Sequence, residues 1–332
     1  MPTTIQEIAD ILHLPYSTVA NVLNARDDRT ISAATRETVL QAAARMGYKP
    51  VPEATENRNK PTGQLGLWMS SIYTAFHAQI INQVETNVRA AGYQLIIRSL
   101  QHGLDGEVLP ERNLDGCLAF ECAEQVSDLV DRVHLRGVPT VCMGGVNCRV
   151  STMDSVEIDL SAGTFKALSH LGAIGCNAIA YLGPDMPDSR LAAYYKFCQD
   201  NNQQPTTILT PSQSKRQARH AVLEFVTQGI TFDGIFCFND DMAIACISGL
   251  RDAGLNVPND VAVVGCDGIE EGGLCEPPIT SLAMPADEMC RLALTLLHDR
   301  MVDSGLPVRH RQLTPSLVLR DSSNRTAAGT LL

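Results

Sequence analysis

From Leu65 onward, short apolar runs alternate with stretches of helical spacing, and the whole order restarts once, after Asp159. Residues 65–69, 93–97, 115–120 and 139–143 read as strands, with a helix over 76–91 between the first two. The second run places a helix through His170, a strand over 178–182, a helix around 191–198 and a strand over 234–238. These runs are near-continuously apolar, which fits strands covered on both faces and therefore parallel sheets. Two such runs predict an α/β core of two doubly wound lobes, with ligand sites off the carboxyl ends of the strands. A chain of 332 residues with 45% hydrophobic content can bury cores of that size.

The first fifty residues follow another period. Thr4 with Glu7 fits a capping box, and Ile5, Ile8, Ala9 and Leu12 form one apolar stripe. His13 and Leu14 make a turn, and Pro15 suits the first position of a second helix, where no amide bond is lost. Val19, Val22 and Leu23 point inward, leaving Tyr16, Ser17, Thr18 and Asn21 outward. This is a helix-turn-helix pattern with hydrogen-bonding side chains near the start of its second helix, where such a helix meets base edges.

Residues 50–61 hold three prolines and few apolar side chains, which marks a linker. The expected division is a headpiece over 1–50, a hinge over 51–62 and a core over 63–325. Lobe one would take about 63–158 plus 283–310, and lobe two about 159–282 plus the C-terminal strand. The net charge of −11 is unusual for a nucleic-acid binder, but it is unevenly spread. Through Lys60 there are seven basic and seven acidic residues, leaving nineteen against thirty beyond it. A neutral headpiece is a weak electrostatic footprint on DNA.

Several classes find no support. No apolar run approaches the roughly 18 residues that span a membrane. The amino end has no basic stretch leading into an apolar core, so a cytoplasmic protein is expected. Eleven scattered cysteines form no C-x-x-C pair, which argues against a structural zinc and for small buried thiols. There is no nucleophile elbow, phosphate loop or zinc-protease motif, so no enzyme, metal or cofactor is expected. The neighbours Asp240-Asp241 and Glu270-Glu271 read as helix and turn caps.

The residues Thr18-Val19-Ala20-Asn21-Val22-Leu23-Asn24, Thr35-Arg36-Glu37-Thr38-Val39-Leu40 and Gly47-Tyr48-Lys49-Pro50 closely resemble the headpiece of the LacI/GalR family of bacterial transcription regulators. The resemblance continues through Phe232-Asp233-Gly234-Ile235-Phe236-Cys237-Phe238-Asn239-Asp240 and Val263-Val264-Gly265-Cys266-Asp267, and covers nearly the whole chain to about Ser323. It implies a two-lobed core like that of periplasmic binding proteins, behind a small all-α headpiece. It further implies an effector-responsive regulator, more a repressor than an activator, that binds two-fold operator DNA as a homodimer. Whether two dimers pair into a tetramer stays open.

The same resemblance nominates residues. Tyr16, Ser17 and Asn21 would face bases, while Thr4, Thr18, Asn24, Ser32 and Thr35 would contact phosphates. In the cleft, Arg190, Asn239 and Asp267 would grip a small-molecule effector, with Phe76 and His77 facing it from lobe one. Two alternatives remain: Arg190 and Asp267 as a structural ion pair with Phe76 as core, and His77 as an internally satisfied histidine. A sugar or sugar derivative is the favoured class. Phe120, Gly144 and Met284 stand where relatives often carry hydrogen-bonding side chains, which favours a less hydroxylated or more compact ligand.

The headpiece departs from the family in three places. Asn21 replaces a base-contacting arginine, which favours adenine over guanine. The connection over 25–30 is about two residues longer than usual. Asn57 replaces the leucine that wedges into the minor groove, and Glu53 and Glu56 would face phosphates unfavourably. A second reading is therefore a ligand-binding sensor with a weakened headpiece.

Overall fold

The computed structural model describes residues 5–23, 31–46, 48, 61–72, 74–100, 114–121, 137–146, 148, 152–229 and 231–325. The chain forms two compact units, Met1–Pro61 and Thr62–Leu332.

In the first unit, α1 (Ile5–Leu12), α2 (Tyr16–Leu23) and α3 (Ala33–Arg45) close on Ile8, Ala9, Val19, Val22, Val39 and Ala43. The turn after α1 puts His13 in the left-handed region, at φ 51°. Leu14 N–H donates to the Ala9 carbonyl and His13 N–H to that of Asp10, so the last carbonyls of α1 are satisfied. Pro15 stands one residue before α2, and its carbonyl accepts the amides of Thr18 and Val19. Ser32 caps α3 by accepting from Thr35 N–H at 3.1 Å. Thr4, the supposed capping residue of α1, lies outside the described residues, as do Asn24, the 25–30 connection and the hinge residues Glu53, Glu56 and Asn57.

The second unit holds two six-stranded sheets. The strands of sheet one are β1 (Gln64–Met69), β2 (Gln94–Ser99), β3 (Gly116–Phe120), β4 (Thr140–Gly144), β5 (Asp154–Ile158) and, far along the chain, β11 (His310–Leu313). Their order is β11-β5-β4-β3-β1-β2, parallel throughout. Sheet two holds β6 (Ile179–Pro184), β7 (Thr206–Thr210), β8 (Gly234–Cys237), β9 (Ala262–Asp267), β10 (Thr280–Ala283) and β12 (Ser316–Val318). Its order is β12-β10-β9-β8-β6-β7, with β12 alone antiparallel.

Helices cover these sheets: α4 (Ala75–Ala90) and α10 (Ala286–Val302) in lobe one; α5 (Leu160–Ala173), α6 (Ser189–Asp200), α7 (Lys215–Thr227), α8 (Asp240–Asp252) and the short α9 (Glu270–Leu274) in lobe two. The chain passes between the sheets after β5, after β10 and after β11. At the last passage Pro315 presses on α5 where Gly163 stands, and a Cβ there would collide with the proline ring. The continuous apolar runs of the sequence are the fully buried strands β3, β4, β6, β8 and β9.

All ten described cysteines are free, and all but Cys275 are buried. Among the described residues no helix is long and apolar enough to cross a membrane, and no group of His, Cys, Asp and Glu could hold a metal ion.

Candidate functional site

Arg190 opens α6, immediately after the loop that leaves β6, and its side chain is only 5% exposed. A buried guanidinium must be paired. Its Nε and Nη2 donate to the two oxygens of Asp188 at 2.7 and 2.9 Å, and its Nη1 donates to the Phe238 carbonyl at 3.0 Å. The guanidinium also stacks on the Phe238 ring, 3.5 Å from its centroid. Burial would raise the Asp188 carboxyl, but the Arg190 charge and hydrogen bonds overcome it and hold that group below its usual range. The ion partner of Arg190 is therefore Asp188, two residues away.

Asp267 ends β9 at a φ of 116°, a conformation that costs free energy outside glycine and recurs at functional positions. Asp240 holds this turn. Its carboxylate accepts from Gly268 N–H at 2.8 Å, Ile269 N–H at 2.9 Å and the Ser281 hydroxyl at 2.6 Å. Burial pushes the Asp240 carboxyl up to about 6, against the pull of those three donors. The Asp240-Asp241 pair thus does not cap α8. Asn239 does that, accepting from Met242 N–H at 2.9 Å while its Nδ2 reaches Gln213 at 3.4 Å.

The Asp267 side chain is 9% exposed, and no donor among the described residues bonds its carboxylate. Burial, with Asp240 beside it, pushes this carboxyl well above its usual range; Arg190 opposes the shift, and Glu121 and Asp241 add to it. Glu121 belongs to lobe one and the others to lobe two, so Asp267 looks onto the space between the sheets.

Lobe one meets that space with the carboxyl end of β3 and the first turn of α4. Thr74 caps α4, and its hydroxyl is also bonded to His77 Nδ1. His77 Nε2 lies 3.4 Å from Glu121, and the imidazole stands edge-on to Phe120 with ring centroids 5.9 Å apart. Phe76 packs on the same Phe120 ring at 6.1 Å. The lobes touch where Ala75 N–H donates to Asp241 at 3.4 Å, a carboxylate that also pairs with Lys215 at 2.8 Å.

The structure thus gathers Arg190, Asn239 and Asp267 at adjacent strand ends of lobe two, and Phe76 and His77 beside Phe120 in lobe one. Phe76 is buried, His77 bonds Thr74 through Nδ1 and lies 3.4 Å from Glu121 through Nε2, and Asn239 spends its carbonyl oxygen on a cap. Sequence reading passed over Asp188 and Glu121 as site residues. Asp188 could have been found from its spacing to Arg190 at a helix start, whereas Glu121 has no local signal. Gly144, at φ 136°, makes room for Glu121, since a Cβ there would lie 3.0 Å from its Cγ. Met284 backs Asp267 through its amide, which donates to the Asp267 carbonyl at 3.1 Å.

In the first unit, Tyr16 is 52% exposed at the start of α2, and Thr18 and Asn21 are half-buried on the same helix. Ser17 lies on that helix. The hydroxyls of Ser32 and Thr35 bond each other at 2.8 Å.

The chain thus combines a two-lobed core, whose strand ends face each other across a cleft, with a separate helix-turn-helix unit. Residues 168–323 match the periplasmic binding protein-like domain family. The HTH-type transcriptional repressor PurR of Photobacterium profundum is 28% identical over 96% of this chain and 98% of its own length. Its counterpart in Haemophilus influenzae (strain PittEE) is 26% identical with the same coverage. Among solved structures, a complex of the transcriptional regulator CelR with cellobiose matches 96% of this chain and 99% of that one, at a TM-score of 0.70 and 25% identity. A lac repressor dimer bound to operator and the anti-inducer ONPF matches 97% and 99%, at a TM-score of 0.70 and 22% identity, a likeness of fold. Along 96% of its length this chain is therefore similar to proteins named transcriptional repressors.

Proposed function

We propose that this protein is an effector-responsive repressor that binds two-fold operator DNA and changes its affinity when a small molecule enters the interlobe cleft. The observation that carries the reading is one chain holding both a helix-turn-helix unit and a cleft whose nearly buried carboxylate, Asp267, has no hydrogen-bond donor among the described residues. A carboxylate in that state is stabilised when a ligand donates to it. Relatives along the full chain are named transcriptional repressors, and one similar regulator was solved with cellobiose.

Tyr16, Ser17 and Asn21 present the base-reading face, with Thr4, Thr18, Asn24, Ser32 and Thr35 on the phosphate side. The effector is received by Arg190, Asn239 and Asp267, with Phe76 and His77 from lobe one. Two copies associate through the core, since a two-fold operator calls for a two-fold protein. The division at about residue 62 lets the core bind effector without the headpiece. The effector shifts lobe closure only to the extent that it binds the two arrangements differently.

Fluorescence anisotropy with genomic fragments, at several salt concentrations, tests the DNA half of this reading. Specific binding should fall as salt rises and should vanish in the 63–332 fragment, which should remain a folded dimer. A full-length chain with no sequence preference would leave only the sensor with a weakened headpiece.

A further inference from the structure

Charge in the cleft is one-sided. Arg190 is the guanidinium at its floor, and its fork is already closed on the two oxygens of Asp188. Lys215, at the margin, is paired with Asp241. Helix starts, which otherwise attract anions, are filled here by the chain itself: Thr74 closes α4, Asp188 closes α6 and Asn239 closes α8. Asp241 takes the Ala75 amide at the start of α4 as well.

What the cleft leaves over is acidic. Asp267 is buried to nine-tenths with no hydrogen-bond donor among the described residues, although its charged neighbours come from both lobes. Glu121 enters from the end of β3, where His77 is its neighbour at 3.4 Å. An acidic ligand would meet Asp267, Glu121 and Asp241, with no uncommitted cation among the described residues to receive it. A protonated nitrogen would meet complementary charge where water is largely excluded and the attraction is little screened.

We propose that the effector carries a protonated nitrogen which Asp267 receives, with Glu121 as the second carboxylate of the same cleft, and that acidic ligands are turned away. An ammonium or amidinium supplies the N–H donors that Asp267 lacks. The proposal rests on the reading of this cleft as the effector site, and it narrows the ligand from a small polar molecule to an amine-bearing one.

The test uses the full-length chain and matched probes of one shape and three charges: D-glucosamine, D-glucose and D-glucuronate, with 1,4-diaminobutane against 1,4-butanediol as an open-chain pair. Calorimetry should show each amine binding about tenfold or more tightly than its neutral partner, with that advantage shrinking as salt rises. Glucuronate should not bind. The Glu121→Gln variant should narrow the preference for amine over neutral probe and Asp267→Asn should remove it, with neither variant unfolding at a lower urea concentration than wild type; an undiminished amine preference in Asp267→Asn overturns the proposal. A neutral or acidic probe binding more tightly than its amine counterpart overturns the proposal, as does the absence of amine binding at millimolar concentration. Release of operator DNA, followed in parallel, separates the two failures. Release by a neutral or acidic compound keeps the regulator reading and ends this one.

Discussion

Two buried carboxylates at opposite ends of parallel strands make the instructive contrast in this molecule. Asp154 begins β5 and is fully satisfied: Arg300 Nη2 donates to it at 2.8 Å, Arg309 Nη2 at 3.2 Å and the Arg309 amide at 2.7 Å. Arg309 in turn pairs with Asp299 at 2.7 Å. Asp267 ends β9, also buried, yet receives no donor among the described residues and keeps a backbone conformation that Asp240 must hold in place. The first arrangement ties the start of β5 to the chain that leads into β11. The second leaves a strong acceptor unmet at the carboxyl end of sheet two. Asp154 is neutralised by the fold, whereas in the proposed reading Asp267 is left for a ligand to neutralise.

The largest effect should come from removing the satisfied group. Asp154→Ala leaves two guanidiniums facing each other and should cost about 3–5 kcal/mol in urea unfolding of the core. A loss below about 1 kcal/mol would dissolve the contrast, because that pairing would then be worth no more than an exposed ion pair. The same site sets a pH dependence. Burial alone would raise the Asp154 carboxyl, but hydrogen bonds and charge from Arg300 and Arg309 hold it below its usual value. A depressed folded pKa contributes stability that is fully present above the unfolded value and is lost as pH falls through the folded one. The stability gap between wild type and Asp154→Asn should accordingly stay constant near neutrality and close under acid conditions.

Arg190→Ala comes next and is the sharper probe, because Arg190 is paired within the fold and is also a proposed effector contact. It strands the buried Asp188, so about 3 kcal/mol of stability should go, and effector affinity should fall by about tenfold or more. Loss of affinity without loss of stability would mean that Asp188 finds water instead. Loss of stability alone would assign Arg190 to the fold, beside Asp154.

Asp267→Asn should act in the opposite sense. Replacing an unmet buried carboxylate by an amide should stabilise the unliganded core by about 1 kcal/mol or more while abolishing the effector response in a DNA-release assay. A destabilised variant would show that Asp267 is tied into the fold and is not waiting for a donor. The smallest effect is expected in the headpiece. Ser32→Ala should cost about 1 kcal/mol of helix stability through the lost cap of α3. If Ser32 also touches phosphate, the slope of DNA affinity against salt should remain unchanged, because a neutral hydroxyl displaces no counterion.

Much of this architecture was legible from the chain alone, for a definite reason. Strands buried on both faces have to be apolar without interruption, so 178–182 and 234–238 announced themselves, and the parallel order followed from the helices between them. The headpiece was legible because three short helices with one small core impose a strict spacing on Ile8, Val19, Val22 and Val39. Arg190, Asn239 and Asp267 were nominated by the family resemblance, and each sits at a strand end or helix start.

What only the tertiary structure decided is how those residues spend their charge. That Arg190 pairs with Asp188 and not with Asp267 depends on the path of one loop. That Asp240 serves a turn twenty-eight residues away, and that Glu121 of lobe one feels Asp267 of lobe two, depends on sheets meeting across a cleft. Apolar periodicity is a local property, repeated along the chain, and it can be read in one dimension. Electrostatic pairing is set by distances of a few ångströms between groups far apart in sequence, and it comes into being only when the lobes close around them.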